Sequence, residues 1–284
     1  MAKVKDMRKV KGLSPMSVLT PYIMTNRIGS MNLMRDTISV AKIDKYVKEK
    51  QAEGMTNMSY MHVLLAAYVR LISQRPQLNR FIRGHRVWTR KSIEIAITIK
   101  KEMNLESPDT VVKINLMPDA TIKDLYEQLN SAIEEYRNEP GGDFDRIAGG
   151  LSYIPGFLLR FVIMFLRTLD YYGLLPKILL KISPFHCSLF ITSMASLGIP
   201  PVYHHLYDFG TCPVFIAFGK KKREYKVNPD GSVYKDQTVD FTFSCDERIA
   251  DGFYYASGLK MFKNILKDPW QLDNPPDKIV EDIK

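Results

Sequence analysis

The chain has 284 residues, of which 45% are hydrophobic, so it can bury one large core or two small ones, and a fibre or a disordered chain does not fit this composition. Lys and Arg outnumber Asp and Glu by 40 to 31, and the net charge of +9 is compatible with nucleic acid, a lipid surface or a phosphorylated small molecule as a partner. No nucleic-acid recognition motif accompanies the charge, which argues against the first of these.

Two features bear on the cellular compartment. The basic N-terminal extension over residues 1–15 lacks the apolar segment and cleavage site of a secretory signal, so we expect a cytoplasmic protein. The three cysteines, Cys187, Cys212 and Cys245, are far apart and odd in number, which excludes a disulfide framework and a paired-cysteine zinc site. We therefore predict no bound metal.

The first half of the chain predicts strands and amphipathic helices in alternation. Residues 36–44 alternate like a strand, and residues 44–54 are typical of a short helix. An apolar face predicts a longer helix that begins at the N-cap residue Ser59 and ends before Pro76. We interpret His62, near the start of that helix, as a packed or surface residue rather than a ligand.

Further strands and a second long helix follow. Two strands are predicted within residues 85–101 and another over residues 110–116. Thr121 and Asp124 form a capping box at the start of the next predicted helix. Glycine and proline then indicate that residues 139–150 form a link.

Residues 149–182 are the most apolar part of the chain, and we predict that they form a helical insertion. A membrane span needs about 18 uncharged apolar residues in a row. Such a run is interrupted here by Pro155, Arg160, Arg167, Asp170 and Pro176. Arg160 and Arg167 lie two helical turns apart, so they form a basic stripe along an apolar helix. We interpret this helix as packed over the core, with docking on a bilayer surface as the alternative.

Beyond this insertion the sequence predicts short strands and a final helix. Strand or hairpin patterns occupy residues 187–198, 212–221, 224–235 and 237–247. The final helix ends at Pro269 and is predicted to bury Phe253, Ala256, Met261, Ile265 and Leu266. Helices and strands mixed in this order predict one α/β domain over residues 1–284, with a mixed sheet and a C-terminal tail over residues 270–284.

Five collinear segments resemble one protein family. They are RPQLNRFIRGHRVW, IEIAITIKKE, FITSMASLG, PVFIAFGKK and TFSCDERIADGFYYASGLKMFKNILKDP. Together they resemble the catalytic domain of dihydrolipoyl acyltransferases, the core subunits of 2-oxo acid dehydrogenase complexes, and more distantly chloramphenicol acetyltransferase. The resemblance covers most of the chain and implies the layered α/β fold of that superfamily, with helices packed on a mixed β-sheet.

The resemblance also implies an activity. Family members transfer an acyl group directly from a thioester of coenzyme A or dihydrolipoamide to an acceptor, in a channel between the subunits of a trimer. An acyl-CoA co-substrate, a homotrimer and a 2-oxo acid dehydrogenase-like assembly are therefore expected. The chain begins close to its first predicted helix, so we expect no lipoyl attachment in it.

The last of the five segments resembles the terminal signature of the family. In that signature a histidine, three further residues, an aspartate and a glycine join the last strand to the last helix. Glu247 stands in the place of the histidine, whereas Asp251 and Gly252 keep theirs. The resemblance implies that the residue at position 247 is the general base and that Asp251 braces the turn.

A hydroxyl group stabilises the oxyanion of the tetrahedral intermediate in that family. The resemblance places this hydroxyl at Thr192, with Ser193 beside it and Ser196 as a fallback. Ordinary strand hydroxyls without a catalytic role are the alternative.

A glutamate is a weaker base toward a thiol than a histidine is. The ordinary pKa of a glutamate lies about four units below that of a thiol, so the proton transfer is uphill by roughly 5 to 6 kcal/mol, about twice the cost for histidine. Burial and Asp246 favour protonation of a carboxyl group at position 247, whereas an inward-facing Arg248 favours its ionisation. Three hypotheses follow: Glu247 is a tuned base, another group has replaced it, or the trimer is catalytically silent.

Two adjacent histidines, His204 and His205, are the candidate replacement. Tyr207 and Asp208 follow them, so one loop offers both a base and a carboxylate to orient it. A pair of turn histidines without this role is the alternative. Adjacent residues on a strand point to opposite faces, which disfavours a metal site at this pair.

The sequence thus predicts a CoA-dependent acyltransferase that transfers an acyl group to a thiol or hydroxyl acceptor with an altered general base. A catalytically silent trimeric subunit for binding or scaffolding is one alternative. A peripheral membrane-associated protein is the other.

Overall fold

The computed structural model describes residues 6–100, 109–138 and 143–283. The helices in these ranges are α1 (Pro15–Ile23), α2 (Ala41–Ala52), α3 (Tyr60–Gln74), α4 (Ile122–Asn138), α5 (Asp143–Ser152), α6 (Gly156–Tyr172), α7 (Lys177–Ile182) and α8 (Gly252–Lys267). The strands are β1 (Met7–Lys9), β2 (Met31–Ser39), β3 (Arg80–Arg83), β4 (Arg86–Arg90), β5 (Ile93–Lys100), β6 (Asp109–Leu116), β7 (Leu189–Ser193), β8 (Val214–Val227) and β9 (Val233–Asp246).

The strands form one mixed sheet and one small sheet. The larger sheet has six strands in the order β2-β9-β8-β7-β5-β6, and the smaller one has three in the order β1-β4-β3. The pairs β5·β7 and β7·β8 are parallel, whereas the other pairs of the large sheet are antiparallel. The predicted α/β fold with a mixed sheet and packed helices is confirmed.

The large sheet buries both of its faces. On one face, alternate residues of the strands, among them Ile191, Ile216 and Phe243, join the main core, which also contains the buried side chains of α3 and α8. On the other face, Phe190 and Phe215 belong to a smaller cluster with Leu206, which lies in the connection from β7 to β8. That connection therefore covers the second face of the sheet.

The helix starts follow the predicted capping signals. The backbone N–H of Ser59 donates to Nδ1 of His62 at 3.1 Å, and the His62 side chain is buried. The backbone N–H of Thr121 donates to Oδ2 of Asp124 at 2.8 Å, while the N–H of Asp124 donates to Oγ1 of Thr121 at 3.3 Å. The second pair is a reciprocal capping box, as predicted.

Three sequence predictions were wrong in phase or extent. The strand predicted at 36–44 ends at Ser39. Ile43 continues the apolar alternation in the sequence, but in the structure it belongs, together with Tyr46, to the buried face of α2. In the predicted link, residues 139–142 lie outside the described residues, and α5 begins at Asp143. The basic cluster GKKKREYK at 219–226, whose sequence pattern predicts a strand-to-turn junction, lies inside the long strand β8.

The inward face of α8 also differs from the prediction. Phe253 and Ala256 are exposed, whereas Tyr255, Gly258 and Phe262 are buried together with Ile265 and Leu266. The buried residues follow one another at spacings of three and four along a helix that begins at Gly252, and Phe253 and Ala256 do not lie on that face.

Helix α6 contradicts the interpretation that the apolar insertion packs over the core. Phe157, Phe161 and Phe165 are 66%, 61% and 62% exposed, and Asp170 is the one buried residue of the helix. None of the helices among the described residues has the length and apolar character needed to cross a bilayer.

Asp240 in β9 makes the stability of the sheet dependent on pH. Burial would raise the pKa of Asp240, but hydrogen bonds from Thr37, Arg35 and Lys222 outweigh burial and lower it to about 2. Ionised Asp240 thus stabilises the fold above the ordinary pKa of about 3.9, and this contribution is lost as the pH falls toward about 2. We expect Asp240→Asn to flatten the loss of unfolding free energy between about pH 4 and pH 2 in urea titrations. The exposed Asp119→Asn variant is the control, and an equal slope in wild type and Asp240→Asn would contradict the assignment.

Candidate functional site

Glu247 follows directly after the last residue of β9. Its backbone N–H donates to the carbonyl of Ser30 at 2.8 Å, just before β2 begins, and its side chain is exposed. Both neighbours of Glu247, Asp246 and Arg248, are buried. The turn therefore directs one carboxylate outward between two inward side chains.

A buried ion pair holds this turn in place. Nε and Nη2 of Arg248 donate to the two carboxylate oxygens of Asp246 at 2.8 and 2.7 Å. Nη1 of Arg248 donates to the carbonyl of Met24 at 2.9 Å, and the Tyr255 hydroxyl donates to the carbonyl of Asp246 at 2.6 Å. Arg248 does face inward, but it binds Asp246 rather than Glu247. The carboxylate of Glu247 is thus left outside the pair.

Arg27 links this ion pair to the loop that carries the two histidines. Its Nε lies 3.9 Å from Oδ2 of Asp246, and its backbone N–H donates to Oδ1 of Asp208 at 3.0 Å. Its Nη1 also donates to the carbonyls of Tyr207 and Asp208, at 3.2 and 3.1 Å. Burial lowers the pKa of Arg27, and the charge of Asp246 opposes this shift.

Asp251 lies at the N-cap of α8. Its Oδ1 accepts a hydrogen bond from the backbone N–H of Tyr254 at 2.8 Å, which satisfies one of the free donors at the start of the helix. A Cβ added at the next residue, Gly252, would meet no atom of the described chain within 4 Å. The aspartate thus has a local structural contact, whereas no described residue of this chain crowds the glycine.

Thr192 and Ser193 lie at the end of β7. Thr192 is 7% exposed and pairs with Ala217 of β8, on the face of the sheet that also carries Phe190. Ser193 is half-buried, and its Oγ accepts from the backbone N–H of Ala195 at 3.3 Å. Ser196 is exposed in the turn that follows.

Glu247 and Thr192 of one chain do not share a site. Thr192 is in register with Ala217, which is in register with Thr242 of β9, so Thr192 is level with a residue five positions before Glu247. At about 3.3 Å per residue this separates the two groups by roughly 17 Å along the strands, in addition to the width of two strand spacings. Any direct meeting of these groups requires two copies of the chain.

His204 and His205 contact aromatic rings. The His204 ring stacks on Phe215 with centroids 4.3 Å apart, and burial lowers its pKa, with a further contribution from His205. His205 is exposed and lies edge-on to Tyr207 at 5.1 Å. Asp208 binds Arg27 instead, so the predicted pairing of a histidine with this carboxylate is not formed.

A cavity of about 330 Å³ lies beside the Asp246–Arg248 pair. Its charged and polar lining includes Asn26, Arg27, Arg83, His85, Arg167, Asp170, Asp208 and Arg248. Asp170 contacts Nε2 of His186 at 3.2 Å and Nε of Arg83 at 3.6 Å. Burial would raise the pKa of Asp170, but His186 and Arg83 lower it. The cavity therefore presents fixed, mostly basic groups.

The sequence did not indicate that the residues of this cavity come together. Arg27, Arg83 and Asp170 occur in three separate segments, and no spacing between them signals that they meet. Two members are connected with the predicted site: Arg248 follows Glu247, and Asp208 is the carboxylate predicted to orient a histidine. Among residues 6–100, 109–138 and 143–283, no group of three or more His, Cys, Asp and Glu side chains is arranged to hold a metal ion.

The fold is shared with acyltransferase cores. A probable dihydrolipoamide acetyltransferase from Listeria monocytogenes superposes with a TM-score of 0.60 at 14% identity, covering 92% of this chain and 95% of the other. The cubic core of the pyruvate dehydrogenase multienzyme complex gives 0.58 at 13% identity, covering 92% and 93%. Chloramphenicol acetyltransferase gives 0.54 at 11% identity, covering 92% and 99%.

Sequence comparison alone does not extend this result. Neither a protein-family model nor a curated protein sequence matches the chain. The structural likeness agrees with the superfamily indicated by the five sequence segments. The chain therefore has the fold of the dihydrolipoamide acetyltransferase cores and of chloramphenicol acetyltransferase.

Proposed function

We propose that the protein is an acyltransferase that moves an acyl group directly from a coenzyme A thioester to a thiol or hydroxyl acceptor. The observation that carries this proposal is the turn after β9. There the Asp246–Arg248 ion pair fixes the backbone while the carboxylate of Glu247 points outward, in the position that the family resemblance assigns to the general base.

The proposed reaction needs a second copy of the chain. Glu247 accepts the proton of the acceptor, and the acceptor sulfur or oxygen attacks the thioester carbonyl to form a tetrahedral intermediate. The Thr192 hydroxyl of a neighbouring copy donates to its oxyanion. The carbon–sulfur bond to coenzyme A then breaks, and the leaving thiolate takes the proton back from Glu247. The sheet register, which keeps Glu247 and Thr192 of one chain apart, supports a site formed between copies, and the family resemblance implies that these copies form a trimer.

Two further features support a coenzyme A substrate. The net charge of +9 attracts its phosphates, and the basic cavity beside Arg248 lies next to the turn that carries Glu247. A partner copy that covers Glu247 would remove water from the carboxylate, and desolvation makes a carboxylate a stronger base. Assembly into a 2-oxo acid dehydrogenase-like complex and a cytoplasmic location remain part of the proposal.

The test is the release of coenzyme A from acetyl-CoA and longer acyl-CoAs, measured by chromatography with dihydrolipoamide as acceptor. We expect Glu247→Gln to lower kcat by about a hundredfold or more, because it removes the base and keeps the shape. Thr192→Val is expected to lower kcat by about a hundredfold. His205→Ala is expected to leave the rate near that of wild type, and Glu127→Gln on the exposed face of α4 is the matched control.

The same assay addresses the alternatives. A large loss in His205→Ala with a normal rate in Glu247→Gln would transfer the role of base to the histidine pair. Release at the uncatalysed rate in wild type, together with a stable trimer in sedimentation, would overturn the proposal in favour of a silent scaffolding subunit.

A further inference from the structure

Helix α6 presents an apolar face that no other part of the described chain covers. Phe157, Phe161, Met164 and Phe165 are all exposed by more than half of their surface. On a helix with about 100° per residue, these four lie within one arc centred near Phe161. The opposite side of α6 is only half-buried, so the helix rests on the protein and turns its most apolar arc to the outside.

The charges around this face have one sign. Between residues 153 and 185 the exposed charged side chains are Arg160, Arg167, Lys177 and Lys181. The one acidic residue of the stretch, Asp170, is buried against His186 and Arg83. Every charge that this stretch shows to the outside is therefore positive.

The two arginines of α6 border the apolar arc. Arg160 and Arg167 are seven residues apart, so they lie on one stripe, about 100° around the helix from Phe161. Long basic side chains at the edge of an apolar face reach toward lipid headgroups while the face enters the acyl boundary. On α7, Ile178 is exposed between Lys177 and Lys181 and repeats this combination.

A second apolar helix lies beside α6. The His85 ring stacks on Tyr22 of α1 at 5.2 Å and contacts Tyr171 of α6 edge-on at 5.5 Å, which joins the ends of the two helices. Helix α1 contains no charged residue, and its Met16 and Ile23 are exposed. The ends of α6 and α1 thus meet at His85, and α1 exposes apolar side chains of its own.

We infer that α6 and α7 dock the protein onto an anionic lipid surface, with α6 lying in the plane of the interface. A two-fold dimer through this surface is disfavoured because it would bring four positive charges of one copy against the same four of the other. An anionic leaflet, by contrast, pairs with these charges and buries the phenylalanines. This inference does not depend on the proposed catalytic activity.

The experiment is flotation of the full chain with phosphatidylcholine vesicles that contain or lack phosphatidylglycerol. We expect binding to the phosphatidylglycerol vesicles and its loss at high salt. The Phe161→Ser/Phe165→Ser variant should bind about a hundredfold more weakly. The Arg160→Gln/Arg167→Gln variant should bind about thirtyfold more weakly.

Matched controls distinguish binding through α6 from binding that results from any exposed apolar residue or any positive charge. Tyr225→Ser/Val227→Ser removes two exposed apolar side chains from β8, and Lys42→Gln/Lys48→Gln removes two exposed positive charges from α2. Both should bind vesicles like wild type. Wild type that stays unbound, or controls that lose as much binding as the α6 variants, would overturn the inference. The inference would also be overturned if wild type bound no vesicles but formed an oligomer in sedimentation that the Phe161→Ser/Phe165→Ser variant did not form. In that case α6 would join copies of the chain.

Discussion

Asp246→Asn is expected to lower the free energy of unfolding by about 3 to 5 kcal/mol, because it removes one partner of a buried ion pair. The carboxylate of Asp246 receives two hydrogen bonds from Arg248 and lies 3.9 Å from Arg27, and all three side chains are buried. Without it, two buried guanidinium groups lose their counter-charge.

Urea denaturation at neutral pH measures this loss. The exposed Glu127→Gln variant in α4 is the control, since a surface charge contributes at most about 1 kcal/mol. The same substitution should also reduce acyl transfer in any folded fraction, because the Asp246–Arg248 pair fixes the turn that carries Glu247. A midpoint shift no larger than that of Glu127→Gln would show that the pair does not hold the turn.

Gly210→Ala is expected to cost about 3 kcal/mol or more, for two reasons that act together. Gly210 has φ of 91°, in the left-handed region where a side chain is strained. A Cβ at this position would also lie 2.2 Å from the carbonyl oxygen of Phe185, so the backbone of one segment must move. Gly210 lies in the loop that carries the two histidines and Asp208, and this loop should shift with it.

A matched glycine separates the two reasons. Gly231 has φ of 83°, but a Cβ there would meet no atom of the described residues within 4 Å, so Gly231→Ala suffers conformational strain alone, about 1 to 2 kcal/mol. Thermal unfolding of both variants should show the larger loss for Gly210→Ala. Equal losses of stability would mean that the loop moves to accommodate the added methyl group without further cost.

Local patterns predicted the elements that depend on local physics. The helices α3 and α4 were predicted from their apolar periodicity and caps, and the positions of α8, β6 and β7 were predicted as well. The strand β3 was missed because its sequence, Arg80–Arg83, places an arginine at each end of an apolar pair. Both arginines are buried, since Arg80 binds Asp282 and Arg83 contacts Asp170.

The candidate site was predictable only in part, because it too depends on contacts between residues far apart in the sequence. The family signature identified the position of Glu247, but the direction of its side chain depends on Arg248 meeting Asp246 and Met24. For helix α6 the pattern was recognised, but its interpretation as packed over the core was wrong. An apolar periodicity indicates that a helix face avoids water, but it does not indicate whether protein or another surface covers that face.

The pairing of β2 with β9 has a consequence for how the protein is made. Met31 is in register with Asp246 and Ser39 with Thr238, so β2 cannot pair until a strand about 200 residues downstream has been synthesised. At synthesis rates of about 5 to 20 residues per second, this strand leaves the ribosome roughly 10 to 40 s before its neighbour. Its bare edge is open to wrong pairing throughout that time, so the nascent chain should depend on chaperones.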